Sequence, residues 1–277
     1  VDTSTALTYT FPVESYMSQK HRADDALARL STMLSPEDQD DLDLQIRIRV
    51  GNIEAEIRSA VRDELAGLVV MGTHQHRLIR TLLVGSVTEG MVRKLSVPVL
   101  TVSSDAQPRT LSTILFATDL SESSHDGFKF ALDLAGIAGA HLIVLHAIEP
   151  VPMSFGGALP AIANQDERKL LIENARRKLA ELQSEGMRQN VVVAAEITEG
   201  IAAEKILETA EKSASMLIVL TIHGKGLVER ALLGSTAEHI VRNSKVPVLS
   251  FPVHLAPARV EPTEHHHASI PDLSAMP

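Results

Sequence analysis

The chain has 277 residues, 44% of them apolar, which is enough for two ordinary domains each with a core of its own. It has no cysteine, a formal charge of -9, no tryptophan and two tyrosines. Disulfide frameworks, thiolate metal sites and cysteine nucleophiles are therefore excluded, and neither a basic stripe for phosphate backbones nor aromatic platforms for single strands is on offer.

From the amino end, residues 44–50 and 67–72 read as strands with a helix around Ile57 between them; Ser86 opens a further helix, and Val97-Pro98-Val99-Leu100 begins a last strand. Residues 103–110 (SSDAQPRT) form a polar linker, long enough to reverse direction but too short to hold two domains apart. Beyond it come strands at 114–118, 141–148, 191–197, 216–221 and 246–251, short, β-branched and bounded by turn signals. Helices at 123–138, 164–186, 202–212 and 235–243 alternate with them, their Leu, Ile and Ala recurring at 3.6-residue spacing. This alternation predicts a parallel sheet with crossover helices. Pro98 and Pro247 predict that the strand carrying each is an outer one, where a missing N–H costs nothing. Residues 255–277, proline-rich and carrying His265-His266-His267, read as a flexible tail whose histidines are solvated rather than metal ligands. No apolar run approaches the ~18 residues of a membrane span, and no signal peptide is evident, so the expected setting is the cytoplasm, with neither membrane nor nucleic acid as a partner.

Slid against itself by 149 residues, the chain matches without a gap. Met71 falls on Leu220, His74 on His223, Gly85-Ser86 on Gly234-Ser235, Glu89 on Glu238, Val92-Arg93 on Val241-Arg242, and Val97-Pro98-Val99-Leu100 on Val246-Pro247-Val248-Leu249. Gly51 on Gly200 and Ile57 on Ile206 carry the register back through the preceding strand and helix. The halves are duplicates, a partial one at 1–102 and a complete one at 111–254. Carried further back, the offset places the counterpart of Leu111 before residue 1, so the first half is expected to lack its first strand, first helix and second strand, and either to re-pair residues 44–50 and 67–72 or to be locally loose.

In each half a glycine precedes a serine that is followed three residues later by glutamate: Gly85-Ser86 with Glu89, and Gly234-Ser235-Thr236 with Glu238. This is a capping box that stabilises a helix start by ~1 kcal/mol. The same start, with unpaired N–H groups and the positive end of the helix dipole, also receives a phosphate where glycine lets it approach. Both readings stand on the residues alone. Asp119 likewise reads as the turn residue before a helix, and Lys225, His74 and His223 as loop residues within reach of a phosphate or simply solvated.

The loop carrying these residues resembles that of the universal stress protein family, which places G-x-x-G-x9-G-[ST] between its fourth strand and last helix. ILFATDLSESSHDGFKFALDLA from Ile114 is similar to the family's first strand and helix, and LIVLHAIEP to its second strand. The resemblance covers 113–251 and about 44–102. It implies two Rossmann-like α/β domains with doubly wound parallel sheets, of the adenine nucleotide alpha hydrolase-like kind. It also implies dimerisation through the last strands, and in some members ATP, with magnesium only as the nucleotide's companion. On that reading Asp119, with Ala117 and Thr118 beside it, meets adenine, Ala147 flanks the base, and Thr221, Gly224, Gly234, Ser235 and Thr236 surround the phosphates. Each loop departs from the pattern once: Thr221 stands at the first glycine of the second half, Gln75 at the second glycine of the first.

No Walker A loop, dinucleotide fingerprint, H-E-x-x-H pair or G-x-S-x-G elbow is present. Three functions remain: a stress-response regulator, not an enzyme, that senses an adenine nucleotide; a module that binds protein partners or itself through edge strands, without nucleotide; and, more remotely, a nucleotide hydrolase.

Overall fold

A computed structural model of the chain describes residues 5–11, 16–33, 44–73, 86–103, 106, 110–149, 165–222 and 234–253. The first half contains β1 (Thr5–Phe11), α1 (Tyr16–Met33), β2 (Leu44–Val50), α2 (Ile53–Asp63), β3 (Val69–Thr73), α3 (Ser86–Lys94) and β4 (Val99–Ser103). The second contains β5 (Thr113–Ala117), α4 (Glu122–Ala138), β6 (His141–Ile148), α5 (Gln165–Arg188), β7 (Val193–Glu199), α6 (Ala202–Lys212), β8 (Leu217–Ile222), α7 (Ser235–Asn243) and β9 (Val248–Pro252). Local chemistry sets the boundaries. Asn52 caps α2 by accepting from the Ala55 N–H. Ser121 caps α4 in the same way through Ser124, and Gly139 ends that helix in the left-handed conformation at φ 64°.

Seven strands form one sheet in the order β3-β4-β9-β8-β5-β6-β7, and β1 pairs with β2 in a second, two-stranded sheet. Every pairing is parallel except β4 with β9, where the two halves meet. Across that seam Val99 faces Ser250, Leu100 faces Leu249 and Thr101 faces Val248. Under the 149-residue offset Val99 is Val248 and Thr101 is Ser250, so the flanking pairs exchange places and Leu100 with Leu249 marks a pseudo-two-fold axis. The outer-strand expectation from Pro98 and Pro247 is thereby corrected: β4 and β9 each have a neighbour on both sides. Both prolines fit because they sit just before their strands, where only the carbonyl is needed, accepting from Val69 N–H and Ile218 N–H respectively.

Helices lie on both faces of the sheet. One core joins the halves: Met91 and Val92 of α3, Leu95 just after it and Val99 pack with Ile240 and Val241 of α7 and with Val248. Over it, Arg242 donates to Glu89 of the other half and to Glu238 of its own helix. The other core lies under α4, where Phe128, Ala131 and Leu132 cover Ile114, Phe116 and Val219. Full burial of a side chain such as Phe128 contributes ~2–3 kcal/mol.

The first half keeps more than its sequence promises. The second strand, expected to be absent, is β1: it runs parallel to β2 over seven residue pairs, as β6 does to β7. The repeat conceals it because Thr5 stands to Leu44 as Leu142 stands to Val193, an offset of 137 residues where the rest of the repeat keeps 149. Residues 44–50 thus pair with β1, and 69–73 with β4. Among the described residues the first half holds no counterpart of β5 or α4.

Candidate functional site

In a doubly wound sheet, ligands bind at the carboxyl ends of the strands, where the strand order reverses. That point here is β5, which is flanked by β6 on one side and β8 on the other. Beyond the carboxyl ends of these three strands lies a cavity of about 570 Å³, closed on its far side by the starts of α6 and α7. Of the nine residues expected at the site, Ala117, Thr118, Asp119, Ala147, Thr221, Gly234, Ser235 and Thr236 all line it. Gly224 lies outside the described residues, as do His74, Gln75, Gly85, His223 and Lys225.

The loop after β5 is fixed by short-range hydrogen bonds. Thr118 Oγ1 accepts from Leu120 N–H at 2.9 Å and meets Ser124 Oγ at 2.8 Å. Asp119 Oδ1 accepts from both Ser121 N–H at 3.0 Å and Ser121 Oγ at 2.6 Å. Between them Leu120 takes φ 60°, a left-handed conformation unusual for a branched side chain, with its carbonyl held by Lys178 Nζ at 2.9 Å. Asp119 is therefore the turn residue and a cavity residue at once.

Sequence reasoning missed His146, Glu149 and the start of α6. His146 Nδ1 lies 2.9 Å from the Thr118 carbonyl. A carbonyl only accepts, so Nδ1 carries the proton and Nε2 is the nitrogen left for a ligand. Glu149 Oε1 accepts from Ala202 N–H at 2.9 Å. It thereby caps α6, whose own cap residue, Ile201, has no side-chain hydrogen bond to give. His146 was adjacent in sequence to the expected Ala147. The link from Glu149 to Ala202 crosses 53 residues and carries no local signal.

Helix α7 begins differently. The capping-box expectation is corrected: the cap residue is Gly234, at φ 81°, and among the described residues no side-chain bond caps the helix. Ser235 is already inside the helix, and the Glu238 carboxylate turns to Arg242 at 2.9 Å instead of back to the helix start. Of the two helix starts at the cavity, that of α6 is matched by a carboxylate and that of α7 offers its N–H groups and positive dipole end. Among the described lining residues, Asp119 and Glu149 are the carboxylates, and there is no lysine or arginine.

Thr221 occupies a position where the loop motif has glycine, and the structure shows how its side chain is housed. Its Oγ1 is buried without a hydrogen-bond partner among the described residues and lies 2.3 Å from where a Cβ on Gly127 of α4 would be. Gly127 leaves the room, and the cavity stays open.

The model of the Universal stress protein family matches residues 2–103 and again 110–252. A universal stress protein of Methanocaldococcus jannaschii is 34% identical over 137 residues, covering 49% of this chain and 79% of the relative. One from Thermus aquaticus is 34% identical over 138 residues, covering 50% of this chain and 96% of the relative. The crystal structure of a universal stress protein from Archaeoglobus fulgidus superposes over 90% of this chain and 85% of its own with a TM-score of 0.63 at 20% identity, a likeness of fold.

Proposed function

Because this chain belongs to the universal stress protein family, with a match in each half, we propose that it is a stress-response regulator whose second half binds ATP or a related adenine nucleotide. The observation that carries this reading is the open cavity that joins Asp119 and Ala147 to a helix start without a side-chain cap. Its volume, about 570 Å³, is that of an ordinary small-molecule site. The base would lie by Asp119 and Ala147, and the phosphates at Gly234, Ser235 and Thr236, where a glycine at φ 81° permits close approach. Magnesium would enter as the companion of the phosphates; among the described residues no three His, Asp or Glu side chains are placed to hold a metal themselves. The role proposed is binding in the cytoplasm, not turnover.

The seam favours a second reading, a module that works through protein contacts. Strands β4 and β9 and helices α3 and α7 already form a dimer-like interface within one chain, so the halves can act as a preassembled pair without a nucleotide.

Titration calorimetry of ATP on the purified chain, repeated with Gly234→Val, separates the two. Saturable binding at one site per chain, weakened at least tenfold by the substitution, is the expected result. A Cβ at 234 meets nothing within 4 Å among the described residues, so the valine acts through φ and through the ligand's approach, at ~1–2 kcal/mol of strain, which circular dichroism would show to be tolerated. Absence of saturable binding sinks the nucleotide reading, and sustained phosphate release from ATP would replace it with a hydrolase.

A further inference from the structure

A residue outside the cavity is tied to the loop that carries Asp119. Leu120 and Ser121 share one planar peptide group, with the Leu120 carbonyl on one side and the Ser121 N–H on the other. Lys178 Nζ of α5 donates to that carbonyl at 2.9 Å. The Ser121 N–H donates to Asp119 Oδ1 at 3.0 Å. A single rigid peptide thus stands between the ammonium of Lys178 and the carboxylate of Asp119. Lys178 reaches it across 58 residues of sequence and is not among the described residues that line the cavity.

That peptide needs holding. Leu120 lies at φ 60°, a conformation that side chains other than glycine rarely adopt. Its own N–H is anchored on Thr118 Oγ1 at 2.9 Å, so the strain relaxes by turning the next peptide about the Leu120 Cα–C bond, and that turn swings the Ser121 N–H away from Asp119. The second hydrogen bond to Asp119 Oδ1, from Ser121 Oγ at 2.6 Å, runs through the same residue and moves with it. Helix α5 is a firm base for the grip, because Glu185, two turns beyond Lys178, meets His125 Nε2 of α4 at 3.0 Å. We propose that Lys178 is a positioning residue of the cavity: by holding the Leu120 carbonyl it sets the Asp119 carboxylate, and through it the choice of base. This rests on the reading of the cavity as an adenine nucleotide site.

The chemistry says what that choice is. A carboxylate only accepts hydrogen bonds, and the base of adenosine has its 6-amino group as its N–H donor. A fixed Asp119 therefore favours ATP over purine riboside triphosphate, which differs only in lacking that group. The grip bears on the base end of the ligand, since both of its hydrogen bonds lie in the loop between β5 and α4, whereas the phosphates belong at the start of α7. Lys178→Met keeps an unbranched apolar stem and removes the donor; Lys178→Arg keeps a donor and a charge. Residue 178 is exposed, so both variants should fold, which a thermal melt checks.

Two measurements on the full chain test the proposal. Without nucleotide, hydrogen exchange at the Ser121 amide should quicken at least fivefold in Lys178→Met and stay within twofold of the parent in Lys178→Arg; unchanged exchange in Lys178→Met would overturn the proposal. With nucleotide, titration calorimetry should show the parent preferring ATP to purine riboside triphosphate at least tenfold. Lys178→Met should lose at least fivefold in affinity for ATP and less than twofold for purine riboside triphosphate, Lys178→Arg should restore the preference, and Lys178→Met added to Asp119→Asn should cost nothing more. Equal losses for the two ligands would make Lys178 a structural contact only and overturn the proposal, as would a preference that Lys178→Met leaves unchanged or a parent that binds both alike. A parent that binds no ATP would bring down the cavity reading and this proposal with it, and the exchange result, taken without ligand, tells that failure apart from a failure of the grip.

Discussion

Val70 and Val219 are the same residue at the same register of two copies of one strand, yet one is 60% exposed and the other fully buried. Neither propensity nor periodicity separates them, because both belong to the strand itself. The difference is supplied by β5 and α4, which the second half folds over β8 and which have no counterpart over β3 among the described residues. Burial in a duplicated fold is therefore a property of the neighbours, and the same substitution made in both copies measures those neighbours. Val219→Ala should lose ~2 kcal/mol of stability in denaturant unfolding, the transfer and cavity terms of a core valine, while Val70→Ala should stay within ~0.5 kcal/mol. Equal losses would mean that the face of β3 is covered after all.

This contrast also marks what the sequence could disclose. The 149-residue repeat revealed the two halves and their shared strand–helix alternation, because stretches such as Val97 to Leu100 and Val246 to Leu249 are contiguous and identical. Strand β1 escaped because its register is displaced by twelve residues relative to the rest, the difference between offsets of 149 and 137. At the site, Asp119, Ala147 and Gly234 were legible from motif and resemblance. The Glu149 cap on α6 and the fit of Thr221 to Gly127 were not, since each joins elements that meet only after the crossover helices have packed. The exchange of a serine cap for Gly234 was hidden for a different reason: the residues permit both, and the glycine's positive φ decides.

A smaller effect should come from the bridge across the seam. Arg242 is held protonated above its ordinary range, first by its hydrogen bond to Glu89 against the cost of burial. The two side chains retain 30% and 19% exposure, so solvent screens part of the attraction. A double-mutant cycle of Arg242→Ala with Glu89→Ala should return a coupling of ~0.5–1 kcal/mol in unfolding free energy. Coupling near zero would leave the joining of the halves to the apolar contacts of α3 and α7 and the β4–β9 ladder.

The smallest effect concerns a place where the copies solve one problem with opposite charges. At equivalent positions α2 ends in Asp63 and α6 in Lys212. Asp63 is lowered below its ordinary value, first by the hydrogen bond from Arg49 of β2. In α6 the carboxylate has moved to Glu208, which hydrogen bonds to Lys205 and Lys212 lower from an ordinary 4.5 to about 2. For a group whose pKa falls on folding, the contribution is fully present above the unfolded value and lost as pH drops through the folded one. Relative to Glu208→Gln, the parent should be more stable above pH 4.5, and the advantage should vanish as pH approaches 2. Both Glu208 and Asp63 face solvent, so salt should shrink the two effects together. A salt-dependent loss at Asp63→Asn but not at Glu208→Gln would show that the link from strand to helix in the first half outweighs the pairs within a helix in the second.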